Sequence, residues 1–159
     1  MAIRRHLMRR IDRICKKYSV STVVELVQLA DDDDQQLMHS REWDYKVDSL
    51  NTRIVDDLKR VPRKELVGDE MWQVEQVIWF WYHHATSCAI YRHNDRKQAL
   101  YFVKKALRYQ ARIPAHPNKV THLLYLLLKG RLSEAKALVP TMNEDEVETG
   151  RELVEEWKE

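Results

Sequence analysis

Apolar residues recur along this chain at intervals of three and four. Ile3, Leu7, Ile11, Ile14 and Tyr18 lie on one face of a helix predicted over 3–18, and the opposite face is almost entirely arginine and lysine. Thr22 and Glu25 then have the spacing of a capping box, which predicts a second, short helix carrying Val23, Val24, Leu26, Val27 and Ala30. The run Asp31 to Asp34 is expected to end that helix or to cap the next one through its N-terminal dipole. Val47, Leu50, Ile54, Leu58 and Val61 predict a third helix from about Glu42 to Val61, stopped by Pro62 and followed by a basic connector over 62–69.

From Asp69, a candidate N-cap, to about His93 the chain is at its most apolar. Met71, Val74, Ile78, Trp81, Ala85 and Cys88 share one helical face, and Trp79, Phe80 and Tyr82 cover the rest. A buried strand over Val77 to Tyr82 would find no partner elsewhere in the chain, so a central helix is expected. Asn94 and Asp95 introduce a helix over 95–113 with Ala99, Phe102, Val103, Ala106 and Leu107 inward, ended by Pro114 and Pro117. A helix over 118–129 stops at Gly130, a short one over 132–139 stops at Pro140, and Asn143 caps a last helix bearing Val147, Leu153, Val154 and Trp157. Gly150 weakens the middle of that helix by about 1 kcal/mol relative to alanine. The expected fold is all-α: an array or bundle of about eight short helices, packed antiparallel because the connections are short. It is read as a single domain over 1–159, with a basic amphipathic helix at 1–18, a helical-hairpin core at 70–140 and an acidic C-terminal helix at 141–159.

Composition removes the competing folds. With 159 residues and 44% hydrophobic content a core can form, but only three glycines and four prolines are present. A β-sandwich or a nucleotide-binding α/β fold needs many more turn residues than that. Residues 1–18 carry seven basic groups against Asp12 and have no apolar stretch long enough for a signal peptide. The longest apolar run, Val77 to Tyr82, falls far short of the roughly 20 residues that cross a bilayer. Cys15 and Cys88 are too few for a disulfide framework and read as reduced, half-buried thiols. A cytoplasmic protein is expected.

Asn94-Asp95 precedes a helix with Ala99 and, seven residues on, Ala106; Gly130-Arg131 precedes one with Ala135. These two turn-plus-alanine units lie 36 residues apart, and small residues there let antiparallel helices approach closely. The stretch from about 70 to 140 resembles tetratricopeptide-like helical-hairpin repeats. It departs from them at the first helix, where His83, Thr86, Ser87 and Ile90 stand in place of the family's Trp, Leu, Gly and Tyr, and in the second unit, where Met142 replaces the seven-spaced alanine. The resemblance implies an interaction module whose concave helical surface holds a peptide or partner helix.

Candidate chemistry is sparse. None of the seven histidines, His6, His39, His83, His84, His93, His116 and His122, lies in an HExxH arrangement, and His83 and His84 diverge by about 100° on a helix. Asp31–Asp34 lack the alternating ligands and glycine of a calcium loop. Phosphate-loop, dinucleotide and nucleophile-elbow motifs are missing. Cys88 with His84 has thiol–imidazole spacing but reads first as a small core residue. No enzyme, cofactor, metal or small-molecule substrate is expected.

Charge changes the picture more than total charge does. The net value is +2, yet residues 1–18 carry +6, 19–48 carry −6, 49–140 carry +8 and 141–159 carry −6. The first expectation is a protein-interaction adaptor, scaffold or regulator, its partner another protein or a second copy. Trp43 and Trp157, in polar surroundings, are its candidate contact residues, whereas Trp72, Trp79 and Trp81 are expected in the core. The alternative is nucleic-acid binding. Residues 92–131 hold ten bases and one acid, and Lys97, Tyr101, Lys104, Arg108 and Arg112 form a basic stripe with an aromatic inserted. Arg9 and Arg13 add the basic face of the first helix. Against it stands a sequence pI of about 8.5, below that of a dedicated nucleic-acid domain. Membrane binding by the first helix is disfavoured because it carries no Trp or Phe anchor.

Overall fold

The computed structural model describes residues 8–114 and 118–157, and 73% of the chain is helical, with no strand among the described residues. The helices are α1 (Arg10–Lys17), α2 (Val23–His39), α3 (Leu50–Lys59), α4 (Glu70–Tyr91), α5 (Arg96–Gln110), α6 (Val120–Leu128), α7 (Leu132–Leu138) and α8 (Glu144–Trp157), with single 3₁₀ turns at Arg63–Glu65 and Val139–Thr141. Ile3, Arg4, Arg5 and Leu7 of the predicted first helix lie outside the described residues, as do His6, His116 and Pro117. The chain divides into two compact units, Met1–Trp81 and Tyr82–Glu159, and the boundary falls inside α4.

In the first unit α1 packs on α2 and α3, and α2 packs on α3. α1 begins at Arg10, because Arg9 is extended at the N-cap position. Its fully buried pair is Ile11 and Cys15, with Ile14 and Tyr18 at the margin. α2 starts at the predicted capping box, where Thr22 Oγ1 accepts a hydrogen bond from the Glu25 amide at 3.1 Å. It does not stop at the aspartate run. Asp31 to Asp34 are helical, and α2 continues to His39. Each aspartate finds a partner that tolerates the helix. Gln28 donates to Asp32 at 2.7 Å and Gln35 to Asp31 at 3.2 Å, both one turn away. Asp33 and Asp34 reach outside α2 altogether, as described below.

The predicted third helix over 42–61 is also corrected. Residues 42–49 are not helical, and α3 starts where Ser49 Oγ accepts from the Thr52 amide. Val47, counted inward by spacing, is exposed. In α4 the turns within the first unit bury Val74, Glu75, Ile78 and Trp79. Glu75 is 1% exposed and ion-pairs with the Arg63 Nε; the Arg63 Nη1 also donates to the carbonyls of Leu58 and Val61.

The second unit comprises the C-terminal turns of α4 together with α5 to α8. α5 is capped by Asp95, whose carboxylate accepts from the Gln98 amide at 3.0 Å. Asn94, at φ 47°, makes the tight entry. α5 packs on α6, α6 on α7 and α8, and α7 on α8. Ala99, Ala106 and Ala135 are all fully buried, so helix backbones approach closely at those positions. Gly130, at φ 73°, ends α6 in the left-handed conformation that a side chain disfavours. Gly150 sits against the turn before α8: a Cβ there would come 2.8 Å from Met142 Sδ. The helix-weakening residue is therefore the one that lets α8 seat. Neither cysteine is in a disulfide among the described residues, and both are buried rather than half-buried.

Candidate functional site

Nine residues carry the sequence-based expectation of a binding surface, and the structure separates them into two groups. Trp43, Trp157 and Arg9 are engaged inside their own units. Lys97, Tyr101, Lys104, Arg108 and Arg112 are exposed together on α5 and its C-terminal extension, and Arg13 is exposed on α1.

Trp43 is only 5% exposed. Its indole Nε1 donates to Asp34 Oδ1 at 2.7 Å, and its ring lies 5.7 Å from that of Trp81. The Trp81 Nε1 in turn donates to Thr52 Oγ1 of α3 at 3.0 Å. Next to this pair, Asp33 Oδ2 accepts from both the backbone amide and the side-chain amide of Asn51, each at 2.8 Å. Two of the four aspartates thus join α2 to the Trp43 loop and to the start of α3. Trp72, expected in the core, is instead 42% exposed, with its Nε1 donating to Asp69.

Trp157 is half-buried against the core of the second unit, and the Arg96 guanidinium lies 4.0 Å from its ring centroid. Tyr91 Oη donates to Glu156 at 3.0 Å beside it; partial burial and that carboxylate push the phenol up to about 12. Arg9 donates to Asp12, to both carboxylate oxygens of Glu70 and to the Glu65 carbonyl. Those hydrogen bonds hold the Asp12 and Glu70 carboxyls below the usual carboxylate range, outweighing their partial loss of water. At the other end of α1, burial raises the Asp57 carboxyl, but hydrogen bonds from Lys17 at 2.9 Å and Tyr18 at 2.7 Å overcome this and leave it lowered. Arg9 and Lys17 of the first helix are therefore paired within the fold, whereas Arg10, Arg13 and Lys16 are exposed.

The chain matches no family model, no curated protein and no solved structure.

The α5 face is different. α5 contains no aspartate or glutamate. Lys97, Lys104 and Arg108 are exposed, and no hydrogen bond or ion pair among the described residues engages their side chains. At 3.6 residues per turn, Lys97, Tyr101, Lys104 and Arg108 fall within an arc of about 60° over roughly 16 Å of helix. Tyr101 is 53% exposed between the first two cations. On the side toward the core, Tyr109 stacks on Tyr82, with ring centroids 5.7 Å apart, and the Arg112 guanidinium lies 4.8 Å from the Tyr109 ring.

A second surface feature belongs to the first unit. A groove of about 250 Å³ between α2 and α4 has Val24, Val27, Val77 and Phe80 among its lining, bordered by Gln28, Gln73 and Gln76. Sequence spacing counted Val24 and Val27 only among the apolar residues of the second helix, so this groove was not foreseen. No helix among the described residues is long and apolar enough to cross a membrane.

Proposed function

We propose that this protein is a non-catalytic binding module whose contact surface is the cationic face of α5, and that its partner is a polyanionic macromolecule. One observation carries the proposal: Lys97, Lys104 and Arg108 stand in a line, exposed, and no carboxylate among the described residues takes up their charge. Arg9, Lys17 and Arg63 are instead neutralised within the fold, and Arg10, Arg13 and Lys16 are exposed on α1, a helix that also carries Asp12. Unneutralised charge on a rigid element attracts a ligand of opposite sign and accelerates its association. The helical frame is read as tetratricopeptide-like hairpins packed antiparallel, supported by the fully buried Ala99, Ala106 and Ala135 and by the packing of α5 on α6 and of α6 on α7. Such a frame presents side chains on fixed helices, which suits recognition.

The test is retention of the full chain on immobilised heparin at low salt. Wild type is expected to bind and to elute as salt rises. The triple variant Lys97→Glu, Lys104→Glu, Arg108→Glu is expected to flow through while keeping its helical circular dichroism, because each substitution is on the surface and costs within about 0.5 kcal/mol. Retention of the triple variant at the wild-type salt concentration refutes the proposal.

A protein-contact reading finds support in the groove between α2 and α4, whose apolar floor and amide rim suit an amphipathic helix. Under that reading Val24→Asp abolishes capture of a helical partner and leaves heparin retention unchanged.

A further inference from the structure

The charge on α5 does not by itself choose between an acidic protein segment and a nucleic acid, but the residue set among the cations does. Tyr101 sits in the wider gap of the line, about 6 Å along the helix from Lys97 and about 4.5 Å from Lys104. Its ring packs edge-on against Phe102, with centroids 5.8 Å apart, and Phe102 is itself buried in the second unit. Lys105 Nζ lies 5.7 Å from the Tyr101 centroid. The ring is thus positioned by a core residue and a neighbouring cation, yet more than half of the residue remains open to solvent. A carboxylate-bearing peptide would pair with the three cations and leave that aromatic surface unused. A duplex would present phosphates but keep its bases within its own stack. Only unstacked bases offer both a phosphate for each cation and a flat face for the ring.

Resting on the polyanion-binding reading above, we infer that the ligand of this face is single-stranded nucleic acid, with Lys97, Lys104 and Arg108 on phosphates and Tyr101 stacked on the intervening base. The one acid within residues 92–131, Asp95, is engaged as the α5 cap, so no carboxylate on the helix opposes the strand.

The experiment is fluorescence anisotropy of the full chain at increasing salt with three labelled probes: a mixed-sequence single strand of about twenty nucleotides, the same sequence as a duplex, and poly-glutamate. The single strand is expected to bind most tightly, with log affinity falling against log salt at a slope near −2 for three phosphate contacts. Tyr101→Ala is expected to weaken the single strand about 5- to 100-fold with the slope unchanged, and Tyr101→Phe to restore binding. Lys104→Ala is expected to reduce the slope by about 0.7. Duplex binding is expected to be indifferent to Tyr101→Ala. Equal single-strand affinity of wild type and Tyr101→Ala overturns the inference. Binding of poly-glutamate without binding of the single strand also overturns it, while leaving the polyanion-binding reading in place. Absence of binding to every probe at low salt removes both.

Discussion

Trp43 shows how one side chain can be misjudged from its neighbours in sequence and still be explained by physics. It is flanked by Glu42 and Asp44, yet its ring is buried and its indole N–H is a donor to Asp34, nine positions earlier. A buried carboxylate needs such donors, and removing one is costly even when the ring is kept. Trp43→Phe is therefore expected to destabilise the protein by about 1–3 kcal/mol in urea unfolding, whereas Asp32→Ala, which loses only an exposed pair with Gln28, stays within about 0.5 kcal/mol. Equal effects of the two would refute the distinction drawn between Asp34 and Asp32, two positions apart. Nothing in residue spacing reveals this pairing, because the partner of a buried polar atom is set by the tertiary fold. The same limit explains Trp72, which periodicity places on the most apolar helix and the fold leaves at its exposed first turn. By contrast the α5 stripe was legible. Its spacing is local, and a helix converts spacing into a face without help from the rest of the chain.

Among elements, the capping signals at Thr22, Asp95 and Gly130 fell where the chain turns, and the apolar periods located each helix. Two boundaries did not follow. α2 passes through four aspartates because glutamines one turn away and groups on other elements satisfy them, a compensation that helix propensity ignores. α3 starts late because Ser49 supplies a cap that the apolar spacing at Val47 had obscured. α1 is held to its unit through carboxylates at both ends, by Arg9 with Asp12 and Glu70 and by Lys17 and Tyr18 with Asp57. These carboxyls titrate lower in the folded than in the unfolded chain. Their stabilisation is complete above the ordinary carboxylate value of about 4 and is lost as pH falls through the lowered folded values. Arg9→Gln removes part of that linkage. Its stability is expected to be below wild type at neutral pH, and the difference to shrink as the solution is acidified below about pH 4. A difference independent of pH, read from urea midpoints across the acid range, would show that Arg9 acts through packing alone.

At the scale of the molecule, a net charge of +2 conceals blocks of opposite sign, and the fold treats the blocks unequally. The first basic block is partly neutralised by Asp12, Asp57 and Glu70, while the α5 cations remain available. The two compact units also place one thiol each, Cys15 in the first and Cys88 in the second. Both are buried, and burial pushes the Cys15 thiol up, away from its reactive thiolate form. An aromatic disulfide reagent is expected to label neither at an appreciable rate in native buffer and both in denaturant; Cys88→Ala and Cys15→Ala variants then report the opening of each unit separately. Labelling of either thiol at the rate of a free peptide would contradict its burial.

The clasp of Arg96 over Trp157 has a practical side. Arg96 is the residue immediately before Lys97, so the last turn of α8 lies against the first turn of α5, next to the start of the cationic line. An acidic segment tethered close to Trp157 would be held beside Lys97 at high effective concentration and would compete with a polyanion for that face.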